Sequence, residues 1–334
     1  MRDKFDVIII GAGPAGLKCA EQFKNSNISV LLIEKNKVIG PKVCAGGLTS
    51  LSAVFDFPDL KARAFEKLIF YFASKKHEID LVYPIRTIDR YDLGQYLLDK
   101  IKDCKNIRIL KKTTVIQIKE NRITTSRGDF YYKCLVGADG SSSLARKYLG
   151  LKSELSVGLC YKAPKITDNF VVYASPKLLG SGYIWIFPHK NYTHIGVYFH
   201  PEVFSAKEAK EILDDFLKKN NYSYFDNKLE AAPINFFYQG CVFKNIFLIG
   251  DAAGLASEIT GEGISYALIS GKEIGRKIIN PDYKMPALKE ILKIKKRQRI
   301  AAGFVRKSFL FQKIFLYFSL KLIRIKWFQK HFGF

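Results

Sequence analysis

Apolar residues run unbroken from Val7 to Ile10 and, interrupted only by Ser29, from Ile28 to Ile33 before the acid Glu34; Ala15 to Lys24 between them has helical spacing. Unbroken runs of this kind suit parallel strands buried on both faces, so residues 6–34 read as a strand–helix–strand unit. The stretch 38–52 is Gly-rich and loop-like, after which Phe65 to Ala73 and Glu78 to Val82 read as paired strands of a different, antiparallel sheet. Tyr91 to Ile101 predicts a helix, Ile107 to Ile118 strands, and Phe130 to Gly137 an apolar strand that returns to the first unit. Aromatic and β-branched residues recur in short runs from Val157 to Phe199, Ala206 to Lys219 is amphipathic, Asn245 to Ile249 is one more buried strand, and a helix follows from Gly263 to Lys277. The pattern predicts an α/β fold in which a parallel-sheet domain (residues 1–60, 85–155 and 240–280) interleaves with an antiparallel-sheet domain (61–84 and 156–239), followed by a helical tail (281–334).

A chain of 334 residues with 48% hydrophobic content can bury such a core. Its 54 basic against 31 acidic residues leave a net +23, which calls for an anionic partner. Fourteen Lys/Arg and a single Glu lie between Lys284 and Phe334, so the excess is mostly a property of the tail. No nucleic-acid recognition motif accompanies this charge, and nucleic acid is not the expected partner. Cys19, Cys44, Cys104, Cys134, Cys160 and Cys241 form no Cys-x-x-Cys pair, so reduced thiols and no metal site are expected. No signal peptide and no run of eighteen uncharged apolar residues is evident. The expected location is the cytoplasm, peripheral on the cytosolic face of a membrane.

Gly11-Ala12-Gly13-Pro14-Ala15-Gly16 falls where the first strand turns into a helix. The first glycine permits the turn, the second lets backbone approach a pyrophosphate, and the third allows close helix packing, with the helix N-terminus facing the phosphates. Glu34, eighteen residues after Gly16, stands where a carboxylate accepts from both ribose hydroxyls and repels a 2′-phosphate. This is a Rossmann-like site for FAD or NAD.

The order of this motif, Glu34, Arg90-Tyr91-Asp92, Gly137-Ala138-Asp139-Gly140 and Gly250-Asp251-Ala252-Ala253-Gly254 resembles the para-hydroxybenzoate-hydroxylase-type flavoproteins. More narrowly, Pro41-Lys42-Val43-Cys44-Ala45-Gly46-Gly47-Leu48 and Tyr183-Ile184-Trp185-Ile186-Phe187-Pro188 are similar to segments of the geranylgeranyl reductase family of FAD-dependent oxidoreductases, although Gly196-Val197-Tyr198 stands where that family has Gly-x-Gly. The resemblance implies FAD as cofactor, held by Gly11, Gly13, Ala15, Gly16, Glu34, Lys35, Cys44, Ala45, Arg90, Val115, Asp139, Gly140, Gly250 and Asp251, with Gly261, Gly263 and Ile264 presenting a helix N-terminus to the flavin pyrimidine. Asp251 is expected on the ribityl chain, and Ala252, Ala253 and Gly254 are expected to let backbone approach the pyrophosphate. A surface ion pair with Asp92 is the other reading of Arg90, and a strand-ending turn that of Asp139. Cys44 is the candidate catalytic thiol, as proton donor or as part of the cavity wall.

Tyr183, Trp185 and Phe187 alternate along a strand and share one face, which with Pro188 is expected to wall the substrate pocket. The implied reaction is saturation of C=C bonds in an isoprenoid chain by hydride from reduced flavin N5. NAD(P)H binding transiently, or a small electron carrier, is the expected reductant, because no second Gly-rich motif has a strand before it and an acid after it. A flavin monooxygenase or halogenase is the alternative, since the aromatic motif is also close to the Trp-x-Trp-x-Ile-Pro of halogenases; a non-enzymatic prenyl-lipid carrier is the other. In the tail, a helix from Val305 to His331 would place Arg306, Lys313, Lys321 and Arg324 on one stripe and Phe304, Phe311, Phe315, Phe318 and Leu322 opposite, with Lys326 and Lys330 breaking the apolar face. Residues 303–331 are therefore expected to meet an anionic membrane surface.

Overall fold

In the computed structural model the apolar runs become a parallel sheet. The structure describes residues 3–324 and 329, apart from 50, 52–54, 56, 58, 59, 61, 73, 74, 175–181, 225–227, 306–308 and 323. Strand β1 (Lys4–Ile10) pairs in parallel with β2 (Val30–Ile33) on one side and β9 (Gly128–Gly137) on the other; β6 (Ile107–Leu110) lies beyond β2, and β16 (Ile246–Leu248) beyond β9. The short β15 (Val242–Phe243) edges this sheet, and the hairpin of β7 (Val115–Lys119) and β8 (Arg122–Thr125) joins the start of β9. Val30, Leu31, Leu32 and Ile33 are all buried, which is why β2 reads as a continuous apolar run.

The second sheet has the order β14 (Glu230–Asn235), β10 (Leu155–Ala163), β13 (Thr193–Phe199), β12 (Tyr183–Pro188), β11 (Phe170–Ala174), β4 (Arg63–Phe72), β5 (Lys75–Thr87), β3 (Gly47–Leu48). Its pairs are antiparallel except β11 with β4. Gly47 and Leu48, expected in the first domain, pair with Thr87 and Arg86, because β5 runs on to Thr87 instead of stopping near Val82. The chain therefore crosses between domains inside the Gly-rich loop.

Helices α1 (Pro14–Glu21), α2 (Arg90–Asp99), α3 (Leu144–Tyr148) and α5 (Ile264–Ile279) belong to the first domain, and α4 (Ala206–Lys219) covers one face of the second sheet. Ser205 and Glu208 form a capping box at the start of α4, whose Ala209, Leu213 and Leu217 are buried against Ile184, Ile186, Ile195 and Val197. In the tail, α6 (Pro286–Val305) and α7 (Phe309–Leu322) are helical, and residues 306–308 and most of 323–331 of the helix expected over 305–331 lie outside the described residues. Arg306, Lys326 and Lys330 of the expected stripe lie outside the described residues. Leu320 is buried beside Trp185 and Phe187, so α7 packs on the second domain.

Arg146, 1% exposed, ties the domains together. Its guanidinium donates to the carbonyls of Lys152, Ala252 (3.1 Å) and Phe237 (2.6 Å) and to Gln239 Oε1 (3.1 Å). Arg146→Met removes all of these bonds, leaves the buried Ala252 carbonyl unpaired, and is expected to lower unfolding free energy by about 3 kcal/mol in urea titrations; an unchanged midpoint would show that the network contributes nothing to stability.

Candidate functional site

A cavity of about 1250 Å³ opens above the carboxyl ends of β1, β2, β9 and β16 and continues under the second sheet. The chain leaves β1 toward β2 on one side while β9 lies on the other, and such a switch point is where open α/β sheets take ligands. Gly11 (φ 101°) crosses so close to β9 that a Cβ there would lie 2.4 Å from the Ala138 carbonyl oxygen, and one on Gly16 would lie 1.9 Å from the Gly11 oxygen. Gly13, by contrast, faces open space with nothing within 4 Å of a Cβ. Glu34, at the end of β2, accepts from the amides of Ala12 and Asn36, both at 2.9 Å. Lys35 and Val115 line the same end of the cavity.

Arg90 also lines the cavity, and its Nε is buried without a hydrogen-bond partner, which favours a ligand role over a surface pair with Asp92. Asp251 lines it and pairs with Lys42 Nζ at 3.0 Å. Asp139 and Gly140 line it too, but the Asp139 carboxylate accepts from Ser143 Oγ (2.6 Å) and the amides of Leu144 (2.6 Å) and Ala145 (3.3 Å) at the start of α3. Packing bears on Ala252, Ala253 and Gly254 as well. Both alanines are fully buried, and a Cβ on Gly254 (φ 72°) would lie 2.2 Å from the Phe237 oxygen, so packing beneath the turn keeps these residues small.

Gly261, Gly263 and Ile264 reach the cavity from the far side, at the N-terminus of α5, and Gly250 lines it just beyond β16. This helix approaches α1 closely because a Cβ on Gly271 would lie 2.3 Å from the Ala15 oxygen. Neither α1 nor α5 carries a side-chain cap at its N-terminus, leaving amides for a ligand.

The other half of the cavity is apolar. Tyr183, Trp185 and Phe187 line it, with successive ring centroids 6.2 and 6.1 Å apart, and Phe187 stacks on Phe170 at 3.8 Å. Pro188 is not part of the lining: it pairs with Thr193, and its carbonyl accepts from Thr87 Oγ1. Gly196 lies opposite Trp185, where a Cβ would be 2.3 Å from the indole. Tyr198 fills the position of a second glycine, buried with its hydroxyl donating to the Glu258 carbonyl. Trp185 Nε1 is buried and unpartnered. Ala302, Gln312 and Leu320 of α6 and α7 complete the wall, a role that the amphipathic pattern of the tail did not distinguish from a surface one.

Cys44, Ala45 and Glu262 lie among the lining residues. The Gly46 amide donates to Cys44 Sγ at 3.4 Å. Glu262 accepts from Thr49 Oγ1 at 2.8 and 2.9 Å and from Ser265 Oγ at 2.5 Å, and enclosure by the protein pushes its carboxyl up to about 7 against those hydrogen bonds. In the sequence Glu262 reads only as part of the helix start from Gly261 to Ile264 that similar proteins present to the flavin, since its partner Thr49 is 213 residues away. Cys160, His194 and Glu230, scattered in sequence, bring their donor atoms within 4.8 Å of one another, although Lys162 Nζ lies 3.8 Å from Glu230. Burial holds His194 neutral, near 3. Among the described residues no helix is long and apolar enough to cross a membrane.

The cavity exceeds the about 300–1,000 Å³ of a pocket for one drug-sized ligand. Open space over Gly13, two uncapped helix N-termini, the orphaned Arg90 Nε and Glu34 at the end of β2 fit FAD.

The sequence model of the pyridine nucleotide-disulphide oxidoreductase family matches residues 5–170. An uncharacterized protein of Methanosarcina barkeri is 30% identical over 296 residues, 80% of this chain and 73% of that one. The digeranylgeranylglycerophospholipid reductase of Methanococcus vannielii is 28% identical over 85% of this chain and 80% of its own length. A crystal structure of a geranylgeranyl bacteriochlorophyll reductase-like protein from Thermoplasma acidophilum shares the fold, with a TM-score of 0.80 and 20% identity over 97% of this chain and 92% of that one. With a cavity that fits FAD and a likeness that runs through both domains, the chain belongs to the geranylgeranyl reductase family of FAD-dependent oxidoreductases.

Proposed function

We propose that the protein saturates C=C bonds in the isoprenoid chain of a prenylated glycerophospholipid. One observation carries this reading: the dinucleotide cradle and the aromatic slot are two ends of one cavity, so a long apolar chain laid along Trp185 and Phe187 would reach the cofactor end. The names of relatives such as the Methanococcus vannielii reductase support the substrate class. Bound and reduced, FAD would supply a hydride from N5. Gly11, Gly13, Ala15, Gly16 and Arg90 would hold its phosphates, Glu34 and Lys35 its adenosine ribose, and Asp251 its ribityl chain. Gly261, Gly263 and Ile264 would place the positive end of the α5 dipole at the pyrimidine.

An isoprenoid offers almost nothing to hydrogen-bond, so orientation must come from shape. The rings on β12 align the chain, and Leu320 and Ala302 close the slot against water. The polar head stays near the mouth. NAD(P)H binding transiently, or a small electron carrier, restores the reduced flavin.

A membrane surface supplies such a substrate. On α7, Ile314, Tyr317, Phe318 and Leu322 are 43%, 53%, 57% and 40% exposed, and Lys321 Nζ sits 4.8 Å over the Tyr317 ring. An apolar face bordered by cations suits the headgroup layer of an anionic bilayer. Truncating the tail would open the cavity, so point changes are the cleaner test: Tyr317→Asp with Phe318→Asp is expected to lower co-sedimentation with anionic vesicles at least about tenfold, the equivalent of about 1.4 kcal/mol. Undiminished sedimentation would remove α7 as the anchor.

Glu34→Lys is expected to weaken FAD retention by about tenfold or more, read from the visible absorbance of the purified protein; equal flavin content would discount the ribose role. For the reaction itself, the holoenzyme is reduced anaerobically with dithionite and mixed with geranylgeranyl diphosphate or a digeranylgeranyl glycerophospholipid. Flavin reoxidation with a saturated product by mass spectrometry is the expected result. A flavoprotein that oxidises only with oxygen and hydroxylates or halogenates a substrate would favour the monooxygenase reading, and a flavin-free protein that binds prenyl lipid would favour the carrier.

A further inference from the structure

Saturating an alkene takes a proton as well as a hydride, and the slot that excludes water also excludes the usual proton source. We propose that Glu262 is the general acid of the reduction, giving its proton to the alkene carbon that does not receive the hydride. This rests on the reductase reading above.

Glu262 sits in the cavity wall where the cofactor end meets the aromatic slot, between Gly261 and Gly263 and close enough to Tyr183 for its charge to raise that phenol. It is partly exposed, and that exposure is to the cavity it lines. Thr49 donates to the carboxyl through its hydroxyl, shared between the two oxygens, and through its backbone amide, and Ser265 Oγ donates to Oε1. Those hydroxyls also stabilise the carboxylate left behind, so the same two groups that hold the acid in place ease its ionisation. The balance is closed. The π bond breaks, its electron pair forms a C–H bond with the Glu262 proton at one carbon, and the other carbon takes the hydride; reduced flavin loses two electrons, and solvent returns a proton to Glu262.

Other titratable groups near Glu262 are poorer donors. Burial pushes the Tyr183 phenol far above its ordinary range, and its hydroxyl already donates to the Thr260 carbonyl. Tyr266, on the first turn of α5, is likewise raised by burial and then by Glu262. The Cys160 thiol is raised by burial, and Asp139 is committed to the start of α3. Cys44, the thiol that the sequence pointed to, lies near Tyr183 and would shape the wall. The Tyr183 and Tyr266 phenols are thus the ionisable groups that face Glu262, from β12 and from its own helix. With its carboxyl pushed up to about 7, Glu262 is protonated below neutrality and ready to donate, and loses that ability as pH rises through 7.

The test uses the FAD-loaded full chain, its Glu262→Gln and Glu262→Asp variants, and geranylgeranyl diphosphate as probe. In the wild type, anaerobic single-turnover reoxidation of the dithionite-reduced flavin is expected to fall above about pH 7. Glu262→Gln should keep its FAD yet lose about 10²- to 10⁴-fold in that rate, with the pH dependence gone. Glu262→Asp should recover part of the rate with a shifted profile. Independently of turnover, infrared difference spectra should show a carboxylic C=O band titrating near neutrality in the wild type and absent from Glu262→Gln. A Glu262→Gln enzyme that reoxidises at the wild-type rate with the same profile overturns the proposal and leaves the reductase reading intact. So does a wild-type band showing Glu262 ionised from pH 5 upward. A wild type that never reoxidises with any prenyl compound removes the reductase reading, and the acid falls with it, whatever the infrared band shows.

Discussion

The backbone crossing at Gly11 is the constraint on which the rest depends. There β1, the start of α1 and the end of β9 meet with no room for a side chain: a Cβ on Gly11 would strike the Ala138 oxygen, and one on Gly16 the Gly11 oxygen. That approach brings the carboxyl ends of β1, β2 and β9 to one rim, so that Glu34 and Asp139, 105 positions apart in sequence, border the same space. The close contact of α5 with α1 then fixes the segment from Gly250 to Ile264 on the opposite rim. Small residues do this because only they let backbone dipoles face a ligand directly.

The second sheet extends the same space into an apolar slot by simple alternation. Along β12, Ile184 and Ile186 are buried toward α4 while Tyr183, Trp185 and Phe187 turn to the cavity; along β13, Ile195 and Val197 do the former and Tyr198 the latter. Gly196 makes the indole fit, since any side chain opposite Trp185 would occupy its place. The sheet is therefore structural on one face and available to a ligand on the other, which suits a long substrate with no polar handles.

Much of this was legible in the sequence because it is local. The strand–helix–strand unit, the acid ending β2, the amphipathic α4 and the aromatic alternation of β12 each depend on residues a few positions apart, where periodicity and turn chemistry speak directly. What was not legible depends on distant partners. Nothing around Glu262 shows that Thr49 encloses it, and nothing around Cys160 shows that His194 and Glu230 converge on it. Nor does the sequence show that Ala252 and Ala253 are enclosed beneath the turn, where packing also keeps them small. The periodicity of the tail cannot say which side meets protein: Leu320 is buried, while Phe318 and Leu322, expected on the apolar face, are exposed. Pro188 extended an aromatic motif in the sequence, but its carbonyl is spent on Thr87 at the back of the strand.

The central claim is that cofactor and prenyl chain share one cavity and meet at the wall formed by Tyr183 and Glu262. A crystal structure of the protein with FAD and a saturated prenyl glycerophospholipid tests it most directly. The account predicts the pyrophosphate over Gly13 and Arg90, the flavin edge at Gly261 to Ile264, and the lipid chain against Trp185, Phe187 and Leu320. A lipid chain bound outside that slot, or FAD seated away from the Gly11–Gly16 turn, would contradict it.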